Sequence, residues 1–344
     1  MIVDWEGNLI ELAEDQNGHV LVLGQSGCGK TYFACREIEE SLKQRKRVLV
    51  IDYSGSFTRT EMDKNKLKAS EVMMLDPQAE TLNWVLDYKN QDQAIYDIAD
   101  ALIFSLKITS YVQRKLIKQC VAETMLIFGE ISVRAIMQWL ETEYDIKKDD
   151  PDIGENLMRL LTKLSTYDTS TPISITVKPG STHALPKLTV LQLSGLAEIE
   201  KSFWCQMFLE LLWKETTHDR TRRRCERLVL DEIQALSLDG GRAFAMMLEQ
   251  GRKHNLNVLA ITQHLTRYTK TEIDYLLQAR NLLFFRPTPA SREFCAKMID
   301  PERIKVWSEK LARLDIGQMV LVGKYTVNYK KTILTKALLC KVVG

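Results

Sequence analysis

The chain has 344 residues, 45% of them hydrophobic and 27% charged, a make-up that excludes intrinsic disorder over its length. Its 47 Lys and Arg against 45 Asp and Glu leave a net charge of +2, so any nucleic-acid surface has to be local. No apolar stretch approaches the roughly 18–20 residues of a membrane span, and seven cysteines without a C-x-x-C pair fit reduced, cytoplasmic thiols better than disulfides or zinc.

Taken in chain order, the N-terminal MIVDWEGNLIELAED is acidic and alternating, the wrong chemistry for a signal or transit peptide. An apolar run at 20–23 reads as a buried parallel strand. It opens VLVLGQSGCGKT, residues 20–31, which satisfies G-x-x-x-x-G-K-[ST] with Gly24, Gly29, Lys30 and Thr31. Residue frequencies make a chance match about 1 in 100 in a chain this long. The strand before it and the helical YFACREIEESLKQRK after it supply the context that the motif needs. Backbone N–H groups of such a loop cradle phosphate. Nucleotide contacts are therefore expected from Gly24, Ser26, Gly27, Cys28, Gly29, Lys30, Thr31 and Tyr32. Lys30 would reach the β- and γ-phosphates and the Thr31 hydroxyl would hold Mg²⁺, so ATP and Mg²⁺ are the expected cofactors.

A second strand over 47–52 ends in Asp52, which either lies near the triphosphate or caps the turn at Ser54-Gly55. Residues 91–168 carry helical periodicity nearly throughout, which predicts an all-helical insertion of about four helices. A strand over 187–193 and a helix over 198–217 follow. Next comes HDRTRRRCER, with Arg220, Arg222, Arg223, Arg224 and Arg227 in one short loop. The cluster precedes a strand's amino end, opposite the nucleotide, which favours a solvated loop over contact with a phosphate backbone.

The segment RLVLDEI, starting at Arg227, is an apolar strand ending in Asp231-Glu232. Paired with a phosphate loop it reads as a Walker B strand: Asp231 orders the Mg²⁺ shell and Glu232 polarises the attacking water. LSLDGG at 236–241 follows this strand instead of preceding it and reads as a loop, not a transporter-type signature. A helix from Gly241 ends at Gln250-Gly251-Arg252-Lys253. Arg252 there is either a finger reaching a neighbouring subunit's phosphate or a cation favourable to the helix dipole. A third strand, 257–261, ends in Thr262-Gln263, whose amide is placed to sense a γ-phosphate. Beyond it lie a short strand NLLFFRP, a helix around SREFCAKMI, the stretch LARLDIGQMVLVGKY and a final strand near 331–342.

HVLVLGQSGCGKT, VLVIDYSG, LVLDEIQAL and GRKHNLNVLAITQ together resemble the HerA/FtsK superfamily of RecA-like motor ATPases, on the branch nearer HerA and the conjugation-type ATPases. The resemblance covers about 19–85 and 185–344. It implies an α/β fold: a RecA-like P-loop NTPase core, a mostly parallel sheet flanked by helices, carrying an all-helical insertion. The expected domains are 1–88 and 171–344 for the core and 89–170 for the insertion. The resemblance also implies a hexameric ring with ATP sites between subunits, Gln263 as sensor, Arg252 acting in trans, and double-stranded DNA threading the ring. Only 18 residues precede the first core strand, where HerA proteins carry a β-barrel, so a minimal motor with a separately encoded effector protein is expected. Alternatives are a nucleotide-gated regulatory or scaffold ATPase and a conjugation, secretion or packaging motor.

Overall fold

A computed structural model describes the chain except for residues 1, 13–17, 68–70, 168–171, 179–185, 219–223, 237, 239, 266–267, 329, 331–335 and 344. The chain forms two compact units, Met1–Met73 with Leu185–Leu191 and Arg223–Gly344, and Met74–Ala184 with Gln192–Arg222.

The N-terminal part runs β1 (Ile2–Asp4), β2 (Leu9–Leu12), β3 (Val20–Leu23), α1 (Lys30–Lys43), β4 (Val48–Asp52), α2 (Arg59–Lys64) and β5 (Val72–Leu75). The middle holds β6 (Leu82–Leu86), α3 (Gln91–Ser105), α4 (Tyr111–Phe128), β7 (Ile131–Ser132), α5 (Val133–Lys147), α6 (Pro151–Leu164) and β8 (Ile173–Val177). Next come β9 (Leu188–Gln192), α7 (Glu198–His218), β10 (Arg227–Leu230), α8 (Ala243–Gln250) and β11 (Asn257–Thr262). The chain closes with α9 (Lys270–Leu276), β12 (Asn281–Phe285), α10 (Pro289–Ile299), α11 (Ile304–Ala312), β13 (Gln318–Val322), β14 (Tyr325–Val327) and β15 (Leu338–Val342).

The large sheet has the order β14-β2-β1-β15-β13-β12-β3-β11-β10-β4-β9-β5. Its centre, β12-β3-β11-β10-β4, is parallel. Every residue of β3, β4, β10 and β12 is buried, the signature of strands covered on both faces. An antiparallel wing of β13, β15, β1, β2 and β14 continues beyond β12. The N-terminal alternation belongs to this wing, as the hairpin β1–β2 with Ile2 and Ile10 facing the core. The expected last strand starts at Leu338, and 331–335 lie outside the described residues.

The second unit contains the four helices α3–α6, three of them started by side-chain caps from Asn90, Ser110 and Ser132, and α6 by Asp150 with Pro151 at its first position. The insertion expected over 89–170 lies inside this unit, which also takes in the three-stranded sheet β6-β8-β7 and helix α7. Its core is aromatic: Trp84 packs on Phe208 at 4.8 Å between ring centres, and Trp204 stacks on Phe208 at 5.7 Å. Asp97, buried on α3, accepts from Tyr88 Oη at 2.9 Å and sits 3.5 Å from the Lys214 ammonium of α7.

Arg220, Arg222 and Arg223 of the basic cluster lie outside the described residues. Arg227 corrects the solvated-loop expectation, because it is a β10 residue and only 2% exposed. Its guanidinium donates to the Gly18 carbonyl at 3.0 Å and to Ser41 Oγ at 3.4 Å, tying β3 and α1 to β10.

Candidate active site

The parallel registers bring the key residues to one level. Leu23 pairs with Thr262, and Leu230 pairs with both Ala260 and Ile51. Gly24, Gln263, Asp231 and Asp52 therefore leave the carboxyl ends of neighbouring strands together, where open α/β sheets place their ligands.

The loop between β3 and α1 is tightly braced. Gly29 has φ 104°, and a Cβ there would meet Gly317 N at 3.0 Å, so a side chain is excluded by both conformation and space. A Cβ at Gly24 would meet Phe285 Cβ at 2.7 Å. Lys30 is the first residue of α1, and its ammonium donates to the Gly24 and Gln25 carbonyls, both at 2.8 Å. The N–H groups of the first turn of α1 have no acceptor within the helix, so the loop ends in donors and a positive dipole end. Ser26 and Gly27 are exposed at the crest, with Thr31 and Tyr32 half-buried behind them. Cys28 turns beneath the loop, donating from Sγ to the Gln25 carbonyl at 2.9 Å, and burial pushes its thiol up. Its main chain is what it offers at the crest.

Asp231 is buried and accepts from Ser54 Oγ. Burial, reinforced by the charges of Glu232 and Asp52 and opposed by the Ser54 hydrogen bond, pushes its carboxyl up to about 6. Asp52 itself accepts from the N–H groups of Gly55, Ser56 and Phe57 at 2.9, 3.0 and 2.8 Å. Of the two readings for Asp52, the turn lock is what its geometry serves.

Glu232 has φ 56° and ψ 53°, a left-handed conformation that costs a non-glycine residue about 1–2 kcal/mol. The turn separates its side chain from that of Asp231, and Gln263 Nε2 donates to its carboxylate at 2.5 Å. Gln234 Nε2 donates to the other carboxylate oxygen, and Thr262 Oγ1 donates to Gln234 Oε1 at 3.0 Å. Gln234 is a site residue that the sequence reading missed; its only signal was a polar residue inside an otherwise apolar stretch after Asp231-Glu232.

Arg252 stands apart from these residues. It lies in a short 3-10 turn before β11, at the amino end of the sheet. Gly251 packs against His19, the residue preceding β3, and the Arg252 charge joins burial and Arg227 in holding the His19 imidazole down to about 4. Six residues of β11 separate Arg252 from the phosphate-loop level, a span of about 20 Å. It lines a depression of about 480 Å³ with Arg280 and Lys324.

Asp231 and Thr31 fit a hexacoordinate hard cation. Mg²⁺ takes one or two carboxylates and completes its shell with water and phosphate oxygens, and a divalent charge relieves the repulsion among Asp52, Asp231 and Glu232. Among the described residues no three His, Cys, Asp or Glu side chains converge on a self-sufficient ion site.

A phosphate loop after β3 and an acidic end to β10, with β11 parallel between them, define a P-loop NTPase fold. The family described as helicase HerA, central domain, matches residues 9–212, and the chain belongs to that family. That match stops short of β10 and β11. VirB4 of Thermoanaerobacter pseudethanolicus has a similar structure, with TM-score 0.69 and 16% identity over 99% of this chain and 95% of that one. The plasmid coupling protein TrwB is also similar, in complex with GDPNP and in complex with ADP and Mg²⁺. Each has TM-score 0.67 and 16% identity over 94% of this chain and 86% of that one. A comparison with curated protein sequences finds no match. Among the described residues no helix is long and apolar enough to cross a membrane.

Proposed function

We propose that the chain is an ATPase that assembles into a ring, hexameric by resemblance, and couples hydrolysis to translocation or remodelling of double-stranded DNA, serving a separately encoded effector protein. The observation that carries this is the split of the machinery. Lys30, Asp231, Glu232 and Gln263 meet at the carboxyl end of the sheet, whereas Arg252 lies about 20 Å away at the amino end. A cation so placed serves catalysis only in a neighbour's site, which makes assembly part of the chemistry.

In this reading Lys30 exchanges its loop carbonyls for phosphate oxygens, and Thr31 and Asp231 hold Mg²⁺, which supplies Lewis-acid charge to the phosphates. Glu232, oriented by Gln263 and Gln234, takes up a proton from the attacking water. TrwB has been seen with ADP and Mg²⁺ and with ADPNP, which supports the same ligand class here. The net charge of +2 favours a second reading, in which nucleotide state gates an effector without processive DNA movement.

ATP turnover measured with and without linear duplex DNA, at low and physiological salt, on protein whose mass is followed by light scattering, separates the two. Strong stimulation by duplex that falls steeply with salt is expected of a DNA motor. A ring that hydrolyses ATP with no response to duplex would overturn the motor reading in favour of gating.

A further inference from the structure

Lys30, Asp231, Glu232 and Gln263 belong to β3, β10, β11 and the segments that leave them, yet the phosphate loop has another wall. β12 flanks β3 on the side away from β10, and Phe284 pairs with Leu23. Phe285 and Arg286 therefore stand level with Gly24 and Gln25. Gln25 N–H donates to the Arg286 carbonyl at 2.9 Å, and Gly317 N–H, from the turn before β13, donates to the Cys28 carbonyl at 2.9 Å. Residue 286 is fixed against the loop through its main chain.

One donor of its side chain is left over. The Nε–H of Arg286 is buried and has no acceptor among the described residues, whereas buried donors are ordinarily satisfied. The Arg286 charge, after that of Lys30, is among those that oppose the effect of burial on the Cys28 thiol, so the guanidinium is within electrostatic reach of the loop. The chemistry suited to a cation there is an anion with two oxygens for the guanidinium fork.

We propose that Arg286 binds the phosphates of the nucleotide held by its own loop, donating from the side opposite Asp231. This rests on the reading of residues 24–31 as a nucleotide loop. Arg286 then acts in cis and Arg252 in trans, so the two cations have separable roles: Arg286 sets nucleotide affinity and Arg252 sets turnover.

The test is calorimetric titration of Mg·ATP into the full chain, unmodified and as Lys30→Ala, Arg286→Gln and Arg286→Lys, at two ionic strengths, with nucleotide-free melting as the control for folding. Arg286→Gln is expected to bind ATP about tenfold or more weakly, with a shallower salt dependence. Arg286→Lys keeps the charge without the fork and is expected to fall between that variant and the wild type, at an unchanged melting temperature. Should Arg286→Gln melt early, the lysine variant decides the matter alone. Wild-type affinity in a folded Arg286→Lys, or in a folded Arg286→Gln, would overturn the proposal while leaving the nucleotide loop intact. Failure of the unmodified chain to bind ATP would instead overturn the loop reading on which the proposal stands.

Discussion

Asp231 is the residue whose electrostatics reach furthest. Its carboxyl is pushed up to about 6 from an ordinary value of 3.8. The folded state therefore holds an extra proton between those values, and the stability this contributes is present below pH 4 and lost as pH rises through 6. At pH 7–8 the ionised, buried Asp231 is a burden on the fold. Asp231→Asn is expected to raise nucleotide-free stability at pH 8 by about 2 kcal/mol in urea denaturation, and to abolish Mg²⁺-dependent ATP binding. Mg·ATP affinity of the wild type is expected to fall as pH drops below 6, because the protonated carboxyl no longer suits a divalent cation. Gln234 makes a second residue-scale case. It holds one Glu232 oxygen and is itself held by Thr262. Gln234→Ala is expected to lower kcat about tenfold while leaving KM for ATP within about twofold, since a positioned base matters in the transition state more than in binding. Equal losses in both constants would argue that Gln234 only supports the fold. Asp231-Glu232 could be read from an apolar run ending in two acids, but Gln234 could not. Its role depends on the left-handed turn at Glu232, and no local pattern announces that turn.

At the scale of elements, Asp52 shows how a strand end becomes a fixed loop. Three N–H groups converge on one buried carboxylate, and removing it orphans all three. Asp52→Ala is expected to cost about 2–4 kcal/mol in chemical denaturation, with Asp52→Asn recovering part of that loss. An unaffected stability would return Asp52 to the other reading, as a group near the triphosphate. In the second unit, Phe208 of α7 is fully buried against Trp84 and Trp204. Phe208→Ala is expected to destabilise by about 3–5 kcal/mol. Hydrogen exchange should show the loss of protection in α3 and α7, which pack together, before it appears in β3 and β10. The periodicity that predicted α3–α6 was local and strong, because each helix has its own apolar stripe and its own cap. The strands β6 and β8 were missed although β8, Ile-Ser-Ile-Thr-Val, alternates; each is only five residues long, and the two pair with each other across about 90 residues of chain.

At the scale of the molecule, the distance between Arg252 and the phosphate loop makes a prediction about assembly. A subunit lacking Lys30 still offers Arg252 to its neighbour, and a subunit lacking Arg252 still offers a complete loop. Lys30→Ala and Arg252→Ala proteins are each expected to be inactive alone. Mixed and allowed to exchange subunits, they should regain ATPase activity, because some interfaces then pair an intact loop with an intact arginine. A mixture as dead as its components would show that Arg252 does not act in trans and favour its helix-dipole reading.

The phosphate loop, the acidic strand end and the parallel strands around them were legible from the chain because each rests on short-range chemistry. Glycines and a lysine at set spacing need no distant partner to be recognised, and strands buried on both faces announce themselves as unbroken apolar runs. Registers, by contrast, are made between segments more than 200 residues apart, as when Leu23 meets Thr262. Only the tertiary structure could decide that Asp52 locks a turn and that Arg227 is buried beneath β3. The same holds for Arg252 facing away from its own loop and for the carbonyl of Arg286 pressed against that loop. Those outcomes depend on which strands become neighbours and at which level they pair, and that is settled by packing across the whole sheet, where local pattern carries no signal.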